Sequence, residues 1–230
     1  MNTAIIAAAG QGNRMASDRP KQFLLLAGTP IIFHTLKRFE ECDSIQEIVV
    51  VLPAEESAGF LSMAGKFALR KLARVVPGGE TRADSVKRGL MAIRPATAEI
   101  VAVHDGVRPF VTVAEIDQTI AAAKESGAAI LTAQSIDTIK EIEGESIVRT
   151  LDRNRLRRAL TPQCFRYDIL TRAFEDVDVH DPSITDESYL VEKIGEPVVV
   201  VEGSARNIKI TTRQDLIVAE AYLKSHLDEE

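Results

Sequence analysis

Apolar residues gather in short runs along this chain, at 3–8, 47–52, 73–76, 100–103, 128–132 and 198–201. Each run has the length of a strand buried on both faces, the kind that builds parallel sheets. Between the runs, apolar positions recur at helical spacing: Ile32, Leu36 and Phe39; Ala83, Val86, Leu90 and Ile93; Ile116, Ile120 and Ala123; Leu216, Ala219 and Leu223. Each set puts its side chains on one stripe of a helix. Strand alternating with helix predicts an α/β fold, a doubly wound and mostly parallel sheet with ligands at the carboxyl ends of its strands.

Residues 135–153 break this rhythm. Two β-prone stretches flank Glu143-Gly144, which predicts a protruding hairpin. The segment is too polar for a central sheet, and an isolated two-stranded hairpin is marginal in water. It is either a flap on its own domain or an arm that packs on a second subunit. No internal repeat, low-complexity tract or flexible linker is present.

The length of 230 residues is about one and a half times the ~150-residue prior for a domain, which predicts a single domain over 1–230 with the 135–153 arm as its appendage. At 45% hydrophobic and 27% charged residues, the chain is neither disordered nor fibrous. Its 28 basic against 34 acidic residues leave a net charge of -6, so it has no general attraction for nucleic acid or anionic lipid. Any phosphate must be held by local groups. Cys42 and Cys164 are too few for a disulfide framework, and no Cys/His cluster has metal-ligand spacing, which fits a reducing cytoplasm. The N-terminal apolar run lacks a basic flank and ends at a glycine turn, so it reads as a strand; no run reaches the ~18 apolar residues of a membrane span.

Candidate chemistry sits where the predicted strands end. The first runs into Ala8-Ala9-Gly10-Gln11-Gly12-Asn13-Arg14-Met15, a turn whose backbone N–H groups can approach a polyphosphate. Met15 stands where the dinucleotide fingerprint needs a third small residue, and the Gly-Lys-Ser/Thr of a Walker loop is absent, so both of those readings lose weight. The turn carries two cations instead, Arg14 and, behind the stiffening Pro20, Lys21. They either neutralise a transferring phosphoryl group or are a solvated pair on a loop; the segment by itself does not choose. Pro77-Gly78-Gly79-Glu80-Thr81-Arg82 follows the third strand and opens a helix, whose N-terminus suits a nucleotide's polar groups, although an ordinary strand-to-helix turn reads the same way. After the fourth strand comes His104-Asp105-Gly106-Val107-Arg108, with an acid placed to hold Mg²⁺ on a triphosphate and an arginine for a second phosphate. His104 reads as a satisfied strand-end histidine, and Lys209 adds a cation before the last helix.

Taken in order, Ala8-Ala9-Gly10-x-Gly12-x-Arg14-Met15, Pro20-Lys21-Gln22, Gly78-Gly79-x-x-Arg82-x-Asp84-Ser85, His104-Asp105-x-x-Arg108-Pro109, Asp137-Thr138, Asp152-Arg153-Asn154, Leu160-Thr161-Pro162-Gln163, Thr185-Asp186-Glu187 and Asn207-Ile208-Lys209 span nearly the whole chain. Together they resemble the 2-C-methyl-D-erythritol 4-phosphate cytidylyltransferase family of the non-mevalonate isoprenoid pathway. The resemblance implies a Rossmann-like sheet of the nucleotidyltransferase type. Ala8, Ala9, Gly10, Gly12, Gly79, Ser85 and Gly106 would line the CTP site, with Asp105 there on the metal, Mg²⁺. Arg14 and Lys21 would stabilise the transition state. Arg108, Thr138, Arg153, Thr161, Thr185 and Lys209 would hold the sugar-alcohol phosphate, Arg153 and Lys209 aiming it for attack. Thr138 and Arg153 would reach across from the other subunit's arm in a homodimer. Relatives often carry an acid just before Asn-Ile-Lys, where this chain has Arg206, and two alanines where it has Gly106-Val107. The rivals are a ribitol 5-phosphate cytidylyltransferase, a nucleotide-binding module without turnover, and a nicotinamide oxidoreductase, which Met15 disfavours.

Overall fold

The computed structural model describes residues 1–10 and 19–227. Its strands are β1 (Thr3–Ala7), β2 (Leu25–Leu26), β3 (Thr29–Pro30), β4 (Glu47–Leu52), β5 (Leu72–Pro77), β6 (Ile100–Asp105), β7 (Ala128–Gln134), β8 (Lys140–Glu143), β9 (Ser146–Thr150), β10 (Arg157–Arg166) and β11 (Val199–Glu202). The helices are α1 (Ile31–Glu41), α2 (Ser57–Ala64), α3 (Arg82–Met91), α4 (Val113–Ser126), α5 (Tyr167–Ala173), α6 (Glu187–Lys193) and α7 (Arg213–Leu227). Seven strands form the main sheet in the order β11-β7-β10-β6-β1-β4-β5. All are parallel except β10, which runs antiparallel between β6 and β7.

Side-chain alternation along the strands feeds two cores. Ala4 and Ile6 of β1 pack with Leu36 and Phe39 of α1 and Ile116 and Ile120 of α4. The intervening Ile5 packs in the other layer, with Val86 and Leu90 of α3 and Ile169 of α5. A sheet covered on both faces is what the apolar runs predict. Two runs depart from that expectation of burial on both faces. β5 and β11 are the edges of the sheet, and Val200 is 60% exposed. Being β-branched and apolar does not distinguish an edge strand from a central one.

The sequence reading missed β10. Its Pro162 lacks a backbone donor and argues against a central strand, and the ladder to β7 shifts register there, between Ala159 and Gln163. The short helices α2, α5 and α6 were also outside the predicted set. The hairpin expected in 135–153 is present: β8 and β9 pair antiparallel, apart from the main sheet, with every strand residue exposed.

The order of β1 decides where a ligand fits. β1 is flanked by β4 and β6, so the chain builds outward on one side and then crosses to the other. Loops leaving neighbouring strand ends diverge at such a reversal and open a crevice.

Candidate active site

The loops after β1, β4, β5 and β6 wall a cavity of about 860 Å³, lined among others by Ala8, Ala9, Gly10, Lys21, Gly79, Ser85, Asp105 and Lys209. The sequence therefore places most of its nucleotide candidates together. Gly12 and Arg14 lie outside the described residues.

Close packing among small residues shapes the cavity floor. A Cβ on Gly78 would sit 2.2 Å from that of Ala9, and one on Gly79 would collide with the Asp84 carboxylate at 1.8 Å. Only glycine fits at either position. Gly106 is likewise pressed against Ala8, and its N–H donates to the Ala7 carbonyl at 2.9 Å. The glycine loop after β5 is held by the start of α3. The Ser85 hydroxyl accepts from Gly79 N–H at 3.0 Å and donates to the Thr81 carbonyl at 2.9 Å, while the Thr81 hydroxyl caps the helix by accepting from Asp84 N–H at 3.0 Å. Arg88 adds a strap, donating to the Gly78 carbonyl at 3.0 Å while paired with Asp84.

At the other end Asp105 anchors a cluster of charges. Arg82 Nε lies 3.3 Å from its Oδ1, and Arg108 Nε and Lys209 Nζ lie 3.2 and 3.0 Å from its Oδ2. Burial alone would raise the Asp105 carboxyl, but Arg82, Lys209 and Arg108 outweigh it and hold the group far below the usual carboxylate range. Arg82 also donates to Oε1 of the fully buried Glu187 at 2.7 Å. Burial pushes Glu187 up, opposed by Arg82. Arg108 extends to the Asn207 carbonyl at 2.8 Å, which ties the Lys209 segment to the cluster. Arg206 does not reach this cluster; it lies over the Tyr222 ring at 5.4 Å.

His104 is a support, as its position at a strand end predicts. Its Nε2 faces the Arg108 carbonyl at 3.1 Å, an acceptor only, so that nitrogen carries the proton. Nδ1 then accepts from the Thr161 hydroxyl at 2.9 Å, and the same hydroxyl accepts from Asp105 N–H at 3.2 Å. The single proton of Thr161 is thus directed at His104. Burial pushes the imidazole down to about 4. The folded state binds no proton there between about pH 4 and the unperturbed ~6.5, so stability is complete above ~6.5 and falls by about 3 kcal/mol as pH drops to 4. An NMR titration is expected to show His104 neutral throughout pH 5–8; an inflection near 6.5 would contradict this.

Of the six expected acceptor residues only Lys209 lines the cavity; Arg108 and Thr161 are buried behind Asp105, and the other three lie apart from it. Thr138 and Arg153 are exposed at the base of the hairpin, where Arg153 donates to the Ile136 carbonyl at 3.2 Å and lines a separate cavity of about 410 Å³ with Gln134, Asn154 and Arg157. Thr185 is exposed two residues before Glu187. Sequence reasoning gave no role to Arg82, Arg88 or Glu187. One signal was available for Arg82: a cation in the first turn of a helix opposes the helix dipole and needs a tertiary reason to be there.

Comparison with known proteins gives the family of the chain. The family model for 2-C-methyl-D-erythritol 4-phosphate cytidylyltransferase matches residues 2–225. The protein of that name from Pelotomaculum thermopropionicum is 44% identical over 224 residues, 96% of this chain and 94% of the relative. Its counterpart from Geobacillus kaustophilus is 42% identical over 226 residues, 98% of each. The crystal structure of 4-diphosphocytidyl-2C-methyl-D-erythritol synthase from Anaerococcus prevotii superposes with a TM-score of 0.87 at 33% identity, covering 97% of this chain and 96% of that one. Agreement in sequence and in backbone over nearly the full length means that this chain belongs to the 2-C-methyl-D-erythritol 4-phosphate cytidylyltransferase family.

Proposed function

We propose that this chain, working as one nucleotidyltransferase unit in the cytoplasm, transfers the cytidylyl group of CTP to 2-C-methyl-D-erythritol 4-phosphate. The products are 4-diphosphocytidyl-2-C-methyl-D-erythritol and pyrophosphate. The observation that carries the reading, beside family membership, is the meeting of Arg82, Arg108 and Lys209 on Asp105 at the wall of a cavity floored by glycines.

The acceptor's phosphate monoester has a second pKa of about 6, so its oxygen is already a dianionic nucleophile at neutral pH. It attacks the α-phosphorus of CTP, a P–O bond forms, and pyrophosphate leaves with the electrons of the bond that breaks. No general base is required, in keeping with a His104 whose two nitrogens are both engaged. The obstacle is repulsion between two anions, and cations remove it. Lys21, with Arg14, offsets charge at the α-phosphate and the departing pyrophosphate, while Lys209 and Arg108 draw in the acceptor phosphate.

Among the described residues no three His, Cys, Asp or Glu side chains form a metal cage. Asp105, ionised and on the cavity wall, fits an ion that takes most of its ligands from the triphosphate, as Mg²⁺ does. Bound there, Mg²⁺ would neutralise phosphate charge.

The arm supports a homodimer as the working form. Ile142 and Ile147 pair across the hairpin yet are 65% and 64% exposed, and Ile136 at its base is 78% exposed. Covering them on a second copy removes apolar surface from water and brings Thr138 and Arg153 to a neighbour's cavity. Sedimentation at micromolar concentration is expected to show a dimer; a monomer would refute it. Among the described residues no helix is long and apolar enough to cross a membrane.

The deciding assay measures pyrophosphate released from CTP and Mg²⁺ after adding methylerythritol phosphate or ribitol 5-phosphate in parallel. Release with the former alone is expected. Release only with ribitol 5-phosphate would reassign the acceptor, and release with neither would leave a nucleotide-binding module.

A further inference from the structure

Glu187, the second partner of Arg82, has no part in the roles assigned so far. Glu187 is fully buried at the first position of α6, and its Oε2 has no hydrogen-bond partner. A buried carboxylate with an unpaired oxygen is costly, and glutamine would fill the same space without the charge. What the charge holds is Arg82, the first residue of α3, where the helix dipole disfavours a cation.

The two partners come from segments with different tasks. Arg82 follows the glycine loop on the nucleotide side, and Glu187 follows Thr185 on the acceptor side. The start of α6 is itself fixed to the sheet: Gln163 of β10 donates to Asp186 Oδ2 at 2.8 Å and accepts from Ser188 N–H at 3.1 Å. Gln163 pairs with Val103, two residues before Asp105. A second tie joins the same segments, the Thr81 hydroxyl donating to the Val179 carbonyl at 2.6 Å.

We infer that Arg82 and Glu187 are a positioning pair for the transfer, locking the Thr185 turn to the nucleotide loop and holding Arg82 to one edge of Asp105. Oδ2 of Asp105 is thereby left to Arg108 and Lys209. With the charge of Glu187 gone, Arg82 is drawn to Asp105 alone and the ion-pair link between the two loops is lost. In-line attack tolerates little misalignment, so the effect falls on turnover rather than on nucleotide binding.

The inference rests on the proposed cytidylyl transfer, so wild-type turnover is measured first. No pyrophosphate release from the wild type fails that reading and takes this inference with it. In an active wild type, Glu187→Gln is expected to give a cooperative melt, a CTP Kd by calorimetry within about threefold of wild type, and a kcat lowered about tenfold or more. A smaller loss of kcat overturns the inference, as does a loss of CTP binding that parallels the loss of turnover. Should Glu187→Gln fail to fold, Arg82→Lys, which keeps the charge but cannot span both carboxylates, carries the same expectation and the same overturning results.

Discussion

Lys21→Ala is expected to lower kcat for cytidylyl transfer by about 10²-fold or more, roughly 3 kcal/mol of transition-state stabilisation, the scale seen when one preorganised charge-stabilising donor is lost. The local structure explains why a flexible side chain acts as a preorganised one. Pro20 precedes a single helical turn, Lys21–Phe23, in which Gln22 and Phe23 are buried. Gln22 Nε2 donates to the Ala8 carbonyl at 2.6 Å and fastens the turn to the loop after β1. With Gln22 and Phe23 buried and the turn fastened, Lys21 is held at the cavity wall. Its charge matters most when negative charge builds on the departing pyrophosphate, so the CTP Kd should change far less than kcat. Arg14→Ala carries the same expectation from the sequence. Near wild-type turnover in Lys21→Ala would remove this lysine from the mechanism.

The second large effect is expected on the fold itself. Asp105→Ala leaves Arg82, Arg108 and Lys209 facing one another with, among the described residues, Glu187 as the remaining ion-pair partner. Removing one partner from a buried ion cluster costs about 3–5 kcal/mol, and activity should vanish with it. The pH dependence gives an independent check. The three cations hold the folded-state carboxyl of Asp105 far below its unfolded value of ~3.9, so its stabilisation is complete above about pH 4 and is lost as pH falls toward the folded value. Urea unfolding should therefore show a wide gap between wild type and Asp105→Ala at pH 7 that narrows below about pH 4. A constant gap would mean that Asp105 acts by packing rather than by charge.

Several elements were readable because their cause is local. β4 falls at 47–52 as its apolar run predicts, and α4 carries Ile116, Ile120 and Ala123 on one buried stripe after a Thr112–Glu115 capping box. β10 was unreadable because its strand state depends on neighbours on both sides and its Pro162 argues against it. The glycine loops were visible as motifs, yet nothing in the motifs says that Gly78 must clear Ala9 or that Gly79 must clear Asp84.

By itself the sequence determined the alternation of strand and helix, the glycine turns at strand ends and the supply of cations, since hydrophobic period and turn chemistry are properties of neighbouring residues. Its net charge of -6 showed that phosphate would have to be held locally. Only the tertiary structure decided which charges meet. Asp105 gathers Arg82, Arg108 and Lys209 because parallel strands deliver their carboxyl ends to one edge whatever their distance along the chain. Arg82 spans 105 positions to reach Glu187, which the chain after α5 brings back to that edge and Gln163 of β10 anchors there. The same geometry left Thr138 and Arg153 on an exposed arm, away from their own chain's cavity.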